Sequence, residues 1–377
     1  MNATVADYAQ KWPEDALRLN VICPYYTMFP LDFPLSQLAA KPEATRVLDP
    51  FCGRGTTLYA ARLAGLPSVG IDINPVAVAI AQAKITQVTS GAVVRLAKKI
   101  LDGGLQGEVP EGEFWQWCYE GVTLREIVTL RTSLMTMNSP TAAMLRAVLL
   151  GILHGPRNKG LPSYLSNQMP RTYASKPAYA VKFWKTRAME PVRIPALDVI
   201  ARRADRLLKS TPTTQGGHVY HGDSVETLQG LRQKFDLVVT SPPYYGMRTY
   251  VPDQWLRSWF LSGLPDIPYN TTGQIARQPN QAAFVQALAD VWAAVARRCH
   301  QGARLAIRFG AIPSARTDPE QMIISSILKA DAGWDVKEVH AAGISPKRAR
   351  QAEQFGKAGT AIDEIDVVAE LAGPERR

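Results

Sequence analysis

Two short segments hold residues whose types and spacing could do chemistry. The first is Asp49-Pro50-Phe51-Cys52-Gly53-Arg54-Gly55-Thr56-Thr57. Gly53 and Gly55 permit a tight turn and let backbone approach a ligand closely. A helix beginning behind them turns N–H groups and a positive dipole end toward carboxylate or ribose oxygens. The second segment is Thr240-Ser241-Pro242-Pro243-Tyr244. Pro242 and Pro243 have no N–H, and each biases the residue before it to an extended backbone. Such a corner offers carbonyl acceptors and the Ser241 hydroxyl to a group that only donates hydrogen bonds. The exocyclic amine of a nucleobase is such a group. Its lone pair is delocalised until acceptors hold both hydrogens and the nitrogen turns pyramidal. Tyr244 adds a flat face on which a flipped base could stack, worth about 1–3 kcal/mol. Transfer of a sulfonium methyl to that nitrogen would draw its rate mainly from in-line positioning and needs neither metal nor covalent intermediate. A cytosine-C5 mechanism would need a nucleophilic cysteine after the strand that ends at Thr240. None of Cys23, Cys52, Cys118 and Cys299 follows it, and Cys52, inside the glycine turn, reads as packing.

The elements that must position these segments form an alternation. Arg46–Leu48 reads as a buried strand, Thr56–Ala64 as a helix stopped by Gly65, and Ser68–Ile71 as a second strand. Asn74-Pro75 is a cap followed by proline at the first helical position, and Val76–Ile85 continues as helix. This opening predicts a parallel doubly wound sheet. Strands return at 218–223, 235–240, Arg304–Phe309, Trp334–His340 and Ile365–Leu371, with helices at Ala282–Arg298 and Gln321–Ala330. The count is about seven strands, with the last pair antiparallel. Asp49, Asp72 and Asp223 then stand at three successive strand ends. Asp72 can accept from ribose hydroxyls and Asp223 from an adenine amino group. The alternatives are that Asp72 merely caps the next helix, that Asp223 caps a turn, and that the two prolines simply end a strand. The glycine turn alone would fit a dinucleotide site equally well.

Together these residues resemble the amino-methyltransferase family of DNA methylases. LDPFCGRGTT is similar to its cofactor motif, TSPPY to its catalytic motif, VGIDINP and HGDS to its second and third cofactor motifs, and CPYYTMFPLDFP to the segment that closes over the cofactor. The resemblance covers residues 20–90 and 215–370. It implies a Rossmann-like class I fold, S-adenosylmethionine as cofactor and double-stranded DNA as substrate. A cognate restriction endonuclease is the functional partner it admits. It assigns Asp49, Phe51, Gly53, Gly55, Thr56, Asp72 and Thr240 to the cofactor and Asp223 to its adenine. It assigns Ser241, Pro242, Pro243 and Tyr244 to the target amine. An S-P-P-Y motif goes more often with cytosine N4 than with adenine N6. Competing readings are an RNA methyltransferase acting on guanine N2 and a nucleic-acid-binding protein that has lost activity.

The chain departs from the family pattern in one respect. Residues 95–212, mostly helical in pattern, interrupt the sheet between its second and third strands. This divides the chain into 1–94, an inserted 95–212 and 213–377. The net charge of +10 concentrates in the insertion: from Ile127 to Met189 there is no Asp or Glu. That run carries Arg131, Arg146, Arg157, Lys159, Arg171, Lys176, Lys182, Lys185 and Arg187. Such a stretch suits a polyanion whose counterions are released on binding, or is a solvated basic face. Tyr164, Tyr173, Tyr179, Phe183 and Trp184 lie among these cations. They either stack on bases or anchor the insertion to the core. A further basic loop, Lys347, Arg348, Arg350 and Lys357, either touches a duplex backbone or is solvated surface. The isolated cysteines fit a reducing cytoplasm. No run is long and apolar enough for a membrane span. The five histidines, His218 and His221 included, form no metal pattern.

Overall fold

The computed structural model of the chain describes residues 12–25, 29–157, 160–170, 176–213, 216–247, 252–267, 275–310, 317–342 and 364–372. Seven strands form one sheet: β1 (Val47–Asp49), β2 (Ser68–Asp72), β3 (Gly217–His221), β4 (Phe235–Thr240), β5 (Cys299–Gly310), β6 (Trp334–Ala341) and β7 (Glu364–Leu371). Their order is β3-β2-β1-β4-β5-β7-β6. The first five are parallel, while β7 runs antiparallel between β5 and β6. This is the expected mostly parallel, Rossmann-like α/β sheet. The crossover reverses direction between β1 and β4, where sheets of this type open a ligand crevice at their carboxyl ends. β5 starts earlier than the sequence pattern predicts. Cys299 pairs with Phe235 before a register shift, and Gly302, with φ of +71°, accommodates the irregularity.

Successive residues of the central strands enter opposite faces, as a period of two requires. Val47, Leu237, Val239 and Ala306 join one hydrophobic core, whereas Leu48, Val238, Leu305 and Ile307 join a second. The helices divide accordingly. Before β3 come α1 (Glu14–Leu17), α2 (Asp32–Ala40), α3 (Thr56–Leu63), α4 (Pro75–Lys84), α5 (Ser90–Asp102), α6 (Glu113–Cys118), α7 (Gly121–Met135), α8 (Pro140–Ile152), α9 (Pro177–Thr186) and α10 (Ala196–Leu208). After β3 come α11 (Ser224–Gly230), α12 (Trp255–Leu261), α13 (Gln281–Arg297) and α14 (Pro319–Lys329). Local chemistry starts several of them. Asn74 accepts from the Val76 amide at 2.9 Å with Pro75 next in line, Ser139 caps α8 ahead of Pro140, and Asp318 caps α14 ahead of Pro319.

The inserted helices α5 to α10 pack on the same face as α3, α4 and α12, and their apolar residues belong to one continuous core with them. An aromatic group seals this joint. Phe114 of α6 lies 4.9 Å from Trp255, and Trp115 lies 4.4 Å from Trp259, both of α12. Two arginines of the acid-free run serve packing, Arg131 across this joint and Arg146 within the insertion. Arg131 Nε donates to the Trp259 carbonyl at 2.8 Å, and Arg146 donates to the Leu134 carbonyl at 2.7 Å. The opposite face holds α11, α13 and α14.

Candidate cofactor and catalytic site

The glycine turn leaves β1 and enters α3. Gly53 and Gly55 have φ of +50° and +74°, a left-handed backbone that glycine adopts without strain. They serve different ends. A Cβ on Gly55 would stand 2.8 Å from Ala81 Cβ of α4, so the turn is pressed against that helix. A Cβ on Gly53 would meet nothing within 4 Å. The first turn of α3 has no side-chain cap, so its amides are free for a ligand. Phe51 is half-buried, its ring 6.1 Å from Trp292 and edge-on to it. Thr56 is buried, and so is Cys52, whose thiol burial keeps neutral.

Acids stand around this turn. Asp49 is fully buried at the end of β1. Its Oδ1 accepts from the Thr240 hydroxyl at 2.6 Å and from the Phe51 amide at 3.1 Å. Its Oδ2 is buried with no hydrogen-bond partner. Desolvation lifts this carboxyl to about 7, although the Thr240 and Thr57 hydroxyls and the Phe51 amide favour the charged form. Asp72, at the end of β2, accepts from the Gly53 amide through Oδ2 and from the Asn74 amide through Oδ1, both at 2.8 Å. Burial pushes its carboxyl up to about 6 against those two bonds. The Asn74 side chain donates to the Tyr25 hydroxyl at 3.0 Å, which ties the chain's early aromatic segment to the same sheet edge.

The proline corner follows β4. Thr240 is fully buried and joins β4 to β1 through Asp49. Thr57 makes a parallel tie, donating to the Val239 carbonyl at 3.1 Å. Ser241 and Pro243 are half-buried and Pro242 is buried. The structure therefore brings Asp49, Phe51, Gly53, Gly55, Asp72, Ser241, Pro242 and Pro243 to one carboxyl edge of the sheet.

One expected contact, that of Tyr244, is placed differently. Tyr244 does not offer a flat face: it is 1% exposed, its hydroxyl donates to Glu364, and its ring packs edge-on to Phe309 at 5.4 Å. The cause is β7, whose first residue Glu364 pairs with Gly310 and sets a carboxylate beneath the corner. Tyr245, the next ring, is half-buried. Thr240 and Thr56 are both buried. Asp223 lies two residues beyond β3 and caps α11, its Oδ1 accepting from the Val225 and Glu226 amides at 2.8 and 3.1 Å.

The basic residues of the insertion are split. Lys176, Lys182, Lys185 and Arg187 are exposed on and around α9. Lys185 is ion-paired with Glu113, and the Arg187 guanidinium lies 4.1 Å from the Phe183 ring centre. Glu113, Phe114, Val181, Lys182 and Lys185 help to line a surface groove of about 480 Å³ there. Trp184 is fully buried, so it anchors the insertion, whereas Tyr179 is 49% exposed. Arg171, Tyr173, Lys347 and Arg348 lie outside the described residues. Among the described residues no cluster of His, Cys, Asp and Glu could hold a metal ion, and no helix is long and apolar enough to cross a membrane.

Sequence reasoning missed Arg54. It is 7% exposed in the middle of the glycine turn, with its Nε lacking a partner. A long cation in a turn otherwise made of small residues was the available signal.

Among curated proteins no relative matches the sequence. Similar solved structures include an rRNA methyltransferase, aviRa, from Streptomyces viridochromogenes, 13% identical over 94% of this chain and 90% of that chain with a TM-score of 0.36. An rRNA methylase from Streptococcus thermophilus is 6% identical over 92% and 99% of the two chains, TM-score 0.35. An S-adenosylmethionine-dependent methyltransferase from Clostridium acetobutylicum is 6% identical over 91% of each, TM-score 0.33. Residues 37–83, which contain the glycine turn and Asp72, match the sequence profile of a family described as DNA methylase.

Proposed function

We propose that this protein transfers a methyl group from S-adenosylmethionine to the exocyclic amine of a DNA base, cytosine N4 foremost. The observation that carries this reading is the 2.6 Å hydrogen bond from Thr240 to Asp49. It locks the donor-free proline corner to the strand that ends in the glycine turn, so an amine acceptor site and a cofactor cradle share one rigid edge. The matched DNA methylase profile supports the same reading.

The residues present suit the cofactor. The open space over Gly53 and the uncapped amides of α3 would receive its amino-acid end. Each Asp72 oxygen has given one lone pair to backbone, and one remains on each for vicinal ribose hydroxyls. Asp223 would accept from the adenine amine through the oxygen its cap leaves unused. When bound, the cofactor supplies an electrophilic methyl on sulfur. The corner's Ser241 hydroxyl and carbonyls hold the amine hydrogens, and the rigid Pro242-Pro243 backbone keeps the nitrogen aligned. Tyr244 stiffens the corner from below through Glu364.

Transfer of labelled methyl to duplex DNA and, in parallel, to total RNA tests this, with nucleoside digestion to identify the product. N4-methylcytosine in the DNA is the expected product. N6-methyladenine would move the target atom, N2-methylguanine in RNA would move the substrate, and no transfer to either polymer would overturn the reading.

A further inference from the structure

On the side of the proline corner, β5 outruns β4. Thr240 is the last residue of β4 and pairs with Ile307, while β5 continues to Gly310. The next position along each strand is Ser241 and Arg308, so Arg308 stands at the ladder position beside the first residue of the corner. Its guanidinium forks onto Asp366 of β7, Nε to Oδ1 at 2.7 Å and Nη2 to Oδ2 at 2.6 Å. It also lies 4.2 Å from the ring centre of Phe33 in the first turn of α2. The two side chains of the pair are only 11% and 17% exposed.

The far end of the corner meets the same two strands. Glu364, two residues before Asp366, accepts from the Tyr244 hydroxyl, and its register partner is Gly310, two residues after Arg308. The Tyr244 ring packs on Phe309 between them. Residues 308–310 of β5 and 364–366 of β7 thus back the corner, Ser241 by register and Tyr244 by contact. Arg304 provides the contrast. It shares the strand and, four residues away, the face of Arg308. It too reaches α2, where Gln37 Oε1 accepts from its Nε at 3.2 Å. Its acid, Glu338, is 3.9 Å away, and its register partner is Leu237, well inside the sheet.

A nearly buried ion pair gains little stability over apolar side chains of the same volume, so what it secures here is geometry. The fork fixes guanidinium and carboxylate in one plane, and the ring against it fixes that plane. We propose that Arg308 is a positioning residue for methyl transfer: locked by Asp366 and Phe33, it joins β5, β7 and α2 into one rigid backstop for the amine corner. The catalytic consequence rests on the methyltransferase reading, and the mechanical one does not.

Three variants of the full chain test this: Arg308→Met with Asp366→Leu, Arg308→Lys, and Arg304→Met as the comparison. The first replaces the pair by apolar side chains of similar volume, and the second keeps the charge but loses the fork. Hydrogen exchange by peptide is measured beside kcat and KM on duplex DNA. In both Arg308 variants, exchange over 244–247 should rise about tenfold while the glycine-turn peptide 51–60 stays as in the wild type. Their kcat should fall about tenfold with KM unchanged, because in-line transfer tolerates little misplacement. Arg304→Met should change neither. Faster exchange at the corner, with no methyl transfer by the wild type to any nucleic acid, keeps the backstop and removes the methyltransferase reading. Wild-type exchange and kcat in Arg308→Lys overturn the backstop, even should the double variant fail to fold. Exchange that rises equally along the whole chain, or as much in Arg304→Met, makes Arg308 a stabilising residue alone and overturns it as well.

Discussion

Gly53 and Gly55 share a left-handed backbone but not a neighbour, and substitution should separate them. Gly55→Ala places a methyl against Ala81 in addition to the conformational strain, and we expect a loss of about 2–4 kcal/mol in denaturant unfolding. Gly53→Ala meets open space, so it should cost only about 1–2 kcal/mol of stability. Its methyl fills the proposed cradle, so S-adenosylhomocysteine affinity should fall about tenfold, roughly 1.4 kcal/mol. A Gly53→Ala protein that binds as the wild type does would show the cradle to be elsewhere. Asp49 makes a second prediction at this scale. Folding raises its pKa to about 7, so the folded protein holds the proton more tightly than the unfolded chain. Its contribution to stability is full below the unfolded value near 4 and is lost as pH rises through 7. Relative to Asp49→Asn, the wild type should lose about 2–3 kcal/mol between pH 5 and pH 8 in urea melts. Parallel pH profiles would mean that Asp49 is not held in a desolvated site.

The element at issue is α11, whose cap is also the residue assigned to adenine. The two roles can be pulled apart because asparagine caps as well as aspartate does. Asp223→Ala should cost about 1 kcal/mol of stability through loss of the Val225 and Glu226 amide bonds. Asp223→Asn should keep that stability and still weaken cofactor binding, since one acceptor becomes a donor. Unchanged affinity in the Asn variant would leave Asp223 a cap alone. Elements of this kind were legible beforehand because their signals are local. Asn74-Pro75 announces a helix start, Gly53 and Gly55 a turn, and the apolar run through Leu237 to Val239 a buried strand. The Tyr244 contact was not legible, because Glu364 reaches it only after β7 inserts beside β5. Nothing within the T-S-P-P-Y segment encodes that neighbour.

For the whole molecule the question is where its positive charge goes. Arg131 and Arg146 are spent on packing, and Lys185 is matched by Glu113. Lys182 is exposed on the rim of α9. If this rim meets duplex DNA, Lys182→Ala should reduce the slope of log affinity against log salt by about 1, and the ion-paired Lys185→Ala by less. An unchanged slope would place the duplex on another face. The chemistry-bearing motifs and the parallel sheet that spaces them were readable in the chain, since caps, turn glycines and period-two strands act through neighbours a few residues away. Folding alone determined that the inserted helices share a core with α3 and α12. Folding also took Tyr244 inside. Each of these depends on contacts between residues far apart in the chain, and such contacts exist only once both faces of the sheet have been covered.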